Sequence, residues 1–138
     1  MGTTDSYKAD HTEIKLLIQS IFELLEKDKI RNHITEILVL INKTSAIVND
    51  HIHKEDKVLF PILLCSSSQE VSNIAKQFIR DTSGFHENYN SYISKWVSRE
   101  EFHANPEGFI NATRNILTEL DYRNQKEDEI LYPLIEHL

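Results

Sequence analysis

The chain is poor in the residues that break or cross-link a fold: three glycines, three prolines and a single cysteine in 138 residues. With only Cys65, no internal disulfide can close and no cysteine-based metal cluster can form, so the thiol is expected to pack at a helix end. No apolar run is long enough to span a bilayer, which removes a transmembrane helix and a membrane partner. Met1 to Ile14 is polar and acidic, without the basic start and apolar core of a secretory signal, and the expected location is cytoplasmic. Gly2 with Ser6 fits the short acylation pattern, but the N-terminus is read as untethered. Basic stripes are missing too, and with a formal charge of -7 the sequence argues against nucleic acid as a partner.

What is present reads as helix. Apolar residues make up 40% of the chain, alongside runs rich in Leu, Ile, Glu and Lys, and strand-like alternation is absent. Thr3, Thr4 and Asp5 offer capping oxygens to a first helix, roughly 5 to 27, whose stripe Ile14, Leu17, Ile18, Ile21, Leu24 and Leu25 also contains His11. The charged Lys27-Asp28-Lys29 ends that stripe. A second helix of about 34 residues starts near Ile30 and turns Ile34, Ile41, Val48, His51, Glu55, Val58, Leu59 and Ile62 inward, with Pro61 in its last turn. Ser66-Ser67-Ser68 caps a third helix, roughly 68 to 98, carrying Phe78, Thr82, Phe85, His86 and Tyr89 inward, with Gly84 a weak spot. Ser98 to Asn105 breaks the period as a loop, and Pro106 opens a fourth helix with Phe109, Ile116, Leu120, Arg123, Glu127, Ile130 and Leu134 inward. The expectation is one all-α domain over residues 1–138, an antiparallel up-down-up-down four-helix bundle.

One pattern occurs twice. His51-Ile-His-Lys-Glu55-Asp-Lys-Val-Leu-Phe-Pro61 returns at an offset of 72 as Arg123-Asn-Gln-Lys-Glu127-Asp-Glu-Ile-Leu-Tyr-Pro133, with Lys, Glu, Asp, Leu and Pro identical and Phe60 exchanged for Tyr132. On a helix, His51 and Glu55 are one turn plus about 40° apart and about 6 Å along the axis, so both project from one face. In antiparallel hairpins, His11 can face His51, and His86 can face Arg123. His11, His51, Glu55, His86 and Glu127 then converge on the interior, where carboxylates and imidazoles are costly to bury unless a cation pairs with both. Such residues on facing helices hold iron, zinc, copper or nickel, and carboxylates can bridge two ions.

On these residues the chain resembles the hemerythrin-like, HHE cation-binding family: His11, His51-x-x-x-Glu55 with Leu59-Phe60-Pro61, His86, and Glu127 with Leu131-Tyr132-Pro133. The resemblance implies a four-helix, non-haem di-iron fold whose histidines bind iron and whose glutamates bridge the ions. It also implies O₂ binding, redox or iron sensing, or responses to nitric oxide. The chain departs from it at Arg123, usually histidine, and at Asn90, where the O₂-carrying members have another histidine. Arg123 stays protonated and cannot be a ligand. It is expected to pair with Glu127 and Glu55 and to favour one metal over two, or else to reach the surface while water completes a two-metal site. The reading is therefore a metal ion with a small diatomic ligand, and no catalytic residues. A di-iron enzyme acting on peroxide or nitric oxide and a metal-free interaction bundle are the alternatives.

Overall fold

Tyr7, His11, Ile14, Leu17, Ile18, Ile21 and Leu25 recur along one face of Asp5–Leu25 and are all buried, which is why this segment is helix α1. The computed structural model describes residues 4–26 and 30–138. Gly2, Thr3 and Lys27-Asp28-Lys29 lie outside the described residues. Thr4 precedes α1 but does not cap it; its hydroxyl donates to Glu136 Oε1, 2.8 Å away, near the other end of the chain.

A 3₁₀ turn, Ile30–His33, leads into α2 (Ile34–Lys54), a π-helical turn (Glu55–Leu59) and α3 (Phe60–Leu64), so the long second helix is one run with three geometries. Ser68 then caps α4 (Gln69–Trp96), its Oγ accepting the Val71 N–H. The charged stretch expected as a loop instead holds a short helix α5 (Arg99–Ala104), capped by Ser98 and anchored by Phe102, which is fully buried edge-to-face against Phe109. His103 accordingly lies in a helix, not a loop. Asn105 caps α6 (Pro106–Lys126), after which a second π turn (Glu127–Leu131) and α7 (Tyr132–Glu136) follow. The described residues are all-helical, without a strand. Among the described residues, no helix is long and apolar enough to cross a membrane.

The two π turns fall at the same place in the two copies of the repeat, and their cause is local. Pro61 and Pro133 have no N–H to give, and the proline ring crowds the carbonyl four residues back, at Lys57 and Glu129. The turn widens, so that the N–H of Phe60 bonds to Glu55 O and that of Tyr132 to Glu127 O, five residues back. The bypassed carbonyls belong to exposed residues, on the side of the helix where a widened turn is tolerated. One extra residue in a turn rotates everything beyond it by about 100°. Val58 (54% exposed), Ile62 (48%) and Ile130 (41%), expected inside, therefore face outward, while Leu59, Phe60, Leu63, Leu131 and Tyr132 turn in.

Along α1, partners near the C-terminus run in descending order: Lys8 with Glu136, Lys15 with Asp121, Glu26 with Arg114. Across α4, Tyr89 meets Ser45 at 2.8 Å, Tyr92 meets Thr113 at 2.7 Å, and Arg123 meets Thr82 at 3.1 Å. The interior divides into a large apolar cluster, with Ile14, Ile21, Ile37, Ile41 and Phe109 among its members, and a smaller one built from Tyr7, Leu59, Phe60, Leu63, Leu131 and Tyr132. Cys65, expected to pack, is exposed.

Candidate metal centre

Four of the five polar residues expected to converge do meet, all nearly inaccessible: His11, His51, Glu55 and Glu127. Each arrives for a local reason. His11 follows Asp10 on the buried face of α1. His51 occupies the last turn of α2, and Glu55, four residues on, opens the first π turn, which leaves its Oε2 3.2 Å from His51 Nε2. Glu127 opens the second π turn. His11 Nε2 stands 3.0 Å from His51 Nε2 and 2.9 Å from Glu127 Oε1, and His51 Nε2 stands 3.2 Å from the same oxygen. The donor atoms of His11, His51 and Glu127 lie within 4.8 Å of one another, compact enough to share one ion.

Three further residues, none of them expected from the sequence as part of the site, complete this layer. His51 Nδ1–H donates to Asp10 Oδ2 and His11 Nδ1–H donates to Asp128 Oδ1, each at 2.9 Å. These carboxylates fix both rings so that each Nε2 faces the interior, the arrangement by which metal-binding imidazoles are usually held. The third is Tyr132, whose Oη lies 3.1–3.2 Å from His11 Nε2, His51 Nε2, Glu55 Oε2 and Glu127 Oε1. Its position depends on the π turn: on a regular α-helix a residue five beyond Glu127 would sit about 140° around the axis from it. The signals were the adjacency of Asp10 to His11, the repeated Glu-Asp pair and the aromatic residue before each repeat proline, none of which reveals a contact without the fold.

The electrostatics are those of a cluster short of positive charge. Burial opposes a charged imidazole at His51, yet hydrogen bonds to Glu127 and Glu55 and their attraction outweigh it, holding His51 protonated up to about 11. Burial, and then repulsion from Glu127, push the Glu55 carboxyl upward. Glu127 goes the other way, because hydrogen bonds from His11 and His51 more than offset its burial. Burial and the two carboxylates push the Tyr132 phenol well above its ordinary range. Asp10, despite burial, is lowered by its hydrogen bonds from Lys54 and His51.

Glu55 Oε1 is buried and has no hydrogen-bond partner among the described residues. Glu55 lines a cavity of about 20 Å³, with His51, Thr82, Phe85, Arg123 and Glu127 also in its wall, large enough for about one water or ion. A buried, unpartnered carboxylate oxygen costs several kcal/mol. Two imidazole nitrogens and two carboxylates supply the mixed nitrogen and oxygen donors that iron and similar ions prefer, so the residues fit a metal.

The remaining expected residues sit elsewhere. His86 is half-buried, its Nε2 3.1 Å from Asn49 Oδ1, outside the hydrogen-bonded set. Arg123 does not make the expected pairs with Glu127 and Glu55; its guanidinium donates to Thr82 and lies over the Phe85 ring, 5.6 Å from its centre. Tyr89 is buried against Ser45 and Tyr122 is exposed, so neither joins the site. His53 and His137 are exposed. No curated protein and no solved structure matches the chain. The model of the hemerythrin HHE cation binding domain matches residues 2–136, nearly its whole length, and the chain belongs to that family.

Proposed function

We propose that the protein binds iron at the buried cluster of His11, His51, Glu55 and Glu127 and uses it for reversible binding of a small ligand, O₂ or NO, or for sensing redox state or iron supply. In this reading the four long helical stretches make an up-down-up-down antiparallel bundle, one domain over 1–138, working in the cytoplasm. The observation that carries the metal reading is the compact buried set of His11, His51 and Glu127, whose donor atoms lie within 4.8 Å of one another and whose two imidazoles are already oriented by Asp10 and Asp128. Iron held by such donors exchanges between ferrous and ferric states and accepts a diatomic at an open position.

The chain's own residues favour one ion over two. Arg123 cannot coordinate, and its positive charge lines the same cavity as Glu55 and Glu127, on the side where a second ion would need ligands. His86 would have to leave Asn49 to reach such an ion, and we assign it to none in the one-metal reading. The apolar clusters on both sides of the polar layer exclude water from it and strengthen its charge interactions.

Elemental analysis and thermal unfolding of anaerobically prepared protein with and without Fe²⁺ test this. The expected result is one equivalent of iron and a raised midpoint, about 2.7 kcal/mol of stabilisation at a hundred times Kd. Two equivalents would overturn the one-metal reading, and no binding with no shift would overturn the metal reading itself. Arg123→His should then admit a second equivalent.

A further inference from the structure

We propose that Tyr132 is a direct metal ligand, its phenol oxygen completing a four-donor set with His11, His51 and Glu127. The proposal rests on the metal reading above and adds to it a residue that binding by histidine and glutamate alone does not require.

With bonds of about 2.1–2.2 Å, neighbouring donors in one coordination sphere stand roughly 3.0–3.6 Å apart, the edges of an octahedron and a tetrahedron. The oxygen and nitrogen atoms here are separated by 2.9–3.2 Å: His11 from His51 and Glu127, and His51 from Glu127. Tyr132 Oη keeps to the same spacing, 3.1 Å from each carboxylate and 3.2 Å from each imidazole nitrogen. An atom standing where the ion belongs would be about 2.1 Å from every donor. Tyr132 Oη is therefore a corner of the set and not its centre.

Hydrogen bonding alone serves this oxygen poorly. A phenol has one proton to donate, and it faces two carboxylate oxygens and two imidazole nitrogens at once. A cation shared by the phenol oxygen, the two imidazole nitrogens and Glu127 satisfies these four together, with the phenol proton released to solvent as the oxygen–metal bond forms.

Departures from the internal repeat point the same way. The residue matching Tyr132 is Phe60, equally buried but without an oxygen. The residue matching His51 is Arg123. Asp10, which orients His51, is replaced before His86 by Phe85, over which Arg123 lies. Each exchange places a donor or its support on the His11–His51 side and removes one from the other.

The test is the visible and resonance Raman spectrum of the iron-loaded protein oxidised to the ferric state with ferricyanide, alongside metal counting. A phenolate-to-ferric charge-transfer band with tyrosinate ring modes is expected in the wild type. It should vanish in Tyr132→Phe, which keeps the ring and the packing, and persist in Tyr7→Phe. Iron bound without that band overturns the ligand role of Tyr132 while leaving the metal reading standing. A band that survives in Tyr132→Phe overturns it as well. Failure to take up iron removes both. In Tyr132→Phe the iron affinity should fall about tenfold or more.

Discussion

Asp10 Oδ2 accepts a hydrogen bond from His51 Nδ1 at 2.9 Å, and Asp128 Oδ1 does the same for His11 at the same distance. The two contacts aim both imidazoles inward before any ion arrives. Asp10→Asn keeps the shape of the side chain and loses the charge, so iron affinity should fall about 10–100-fold while the fold survives. Isothermal titration beside the thermal midpoint measures both, and an unchanged affinity would show that the aspartate does not hold the ring.

The pH dependence follows from His51 and Glu55, both raised. For His51 the folded value, about 11, exceeds the unfolded one, about 6.5. The stabilisation from its proton is thus complete below about 6.5 and is lost as pH climbs toward 11. Glu55 acts with the same sign, because the folded state holds its proton more tightly than the unfolded chain. The metal-free protein should therefore lose stability from pH 6 to 9, by up to about 1.4 kcal/mol per unit for each proton involved. Metal must displace these protons, so affinity should rise over pH 6 to 8, about tenfold per unit per proton. Unfolding midpoints with and without Fe²⁺ should diverge as pH rises; convergence would contradict the assigned protonation.

Two glycines in helices should respond in opposite directions. A Cβ at Gly84 meets nothing within 4 Å, so Gly84→Ala should stabilise by about 0.5–1 kcal/mol through helix propensity. A Cβ at Gly108 would come within 2.5 Å of both Asn105 Nδ2 and Trp96 Cη2. Gly108→Ala should displace the Asn105 cap and cost about 1–3 kcal/mol. Urea midpoints at constant slope decide both, and equal shifts of one sign would refute the contrast.

Tyr92 and Thr113 share a buried hydrogen bond of 2.7 Å between α4 and α6. Tyr92→Phe leaves the fully buried Thr113 without this partner and should lower stability by about 1–3 kcal/mol. A parallel Thr113→Val variant closes a double-mutant cycle, in which strict additivity would mean that the two hydroxyls do not couple.

Much of this was legible without coordinates. The 3.6-residue period places Ile14, Ile18 and Ile21 on the buried face of α1, and the scarcity of glycine and proline makes the chain helical. The His-x-x-x-Glu spacing puts His51 and Glu55 on one face, because four residues nearly complete a turn. Family membership is equally readable from the repeated motif. The outward turn of Val58, Ile62 and Ile130 was not, since a strict period assumes a constant angle per residue and the prolines change that angle at Glu55 and Glu127. The helix at Arg99–Ala104 was hidden by its charge, its place fixed by the single buried ring of Phe102.

The sequence by itself determined the four long helical stretches and the family, because periodicity and side-chain type are local properties. Only the tertiary structure decided which residues share a centre. It joins Asp10 to His51, Asp128 to His11, and Tyr132 to all four donors across separations of up to 121 residues, and pairs His86 with Asn49. Those outcomes depend on how far two π turns rotate the helices beyond them, a quantity that no spacing along the chain contains.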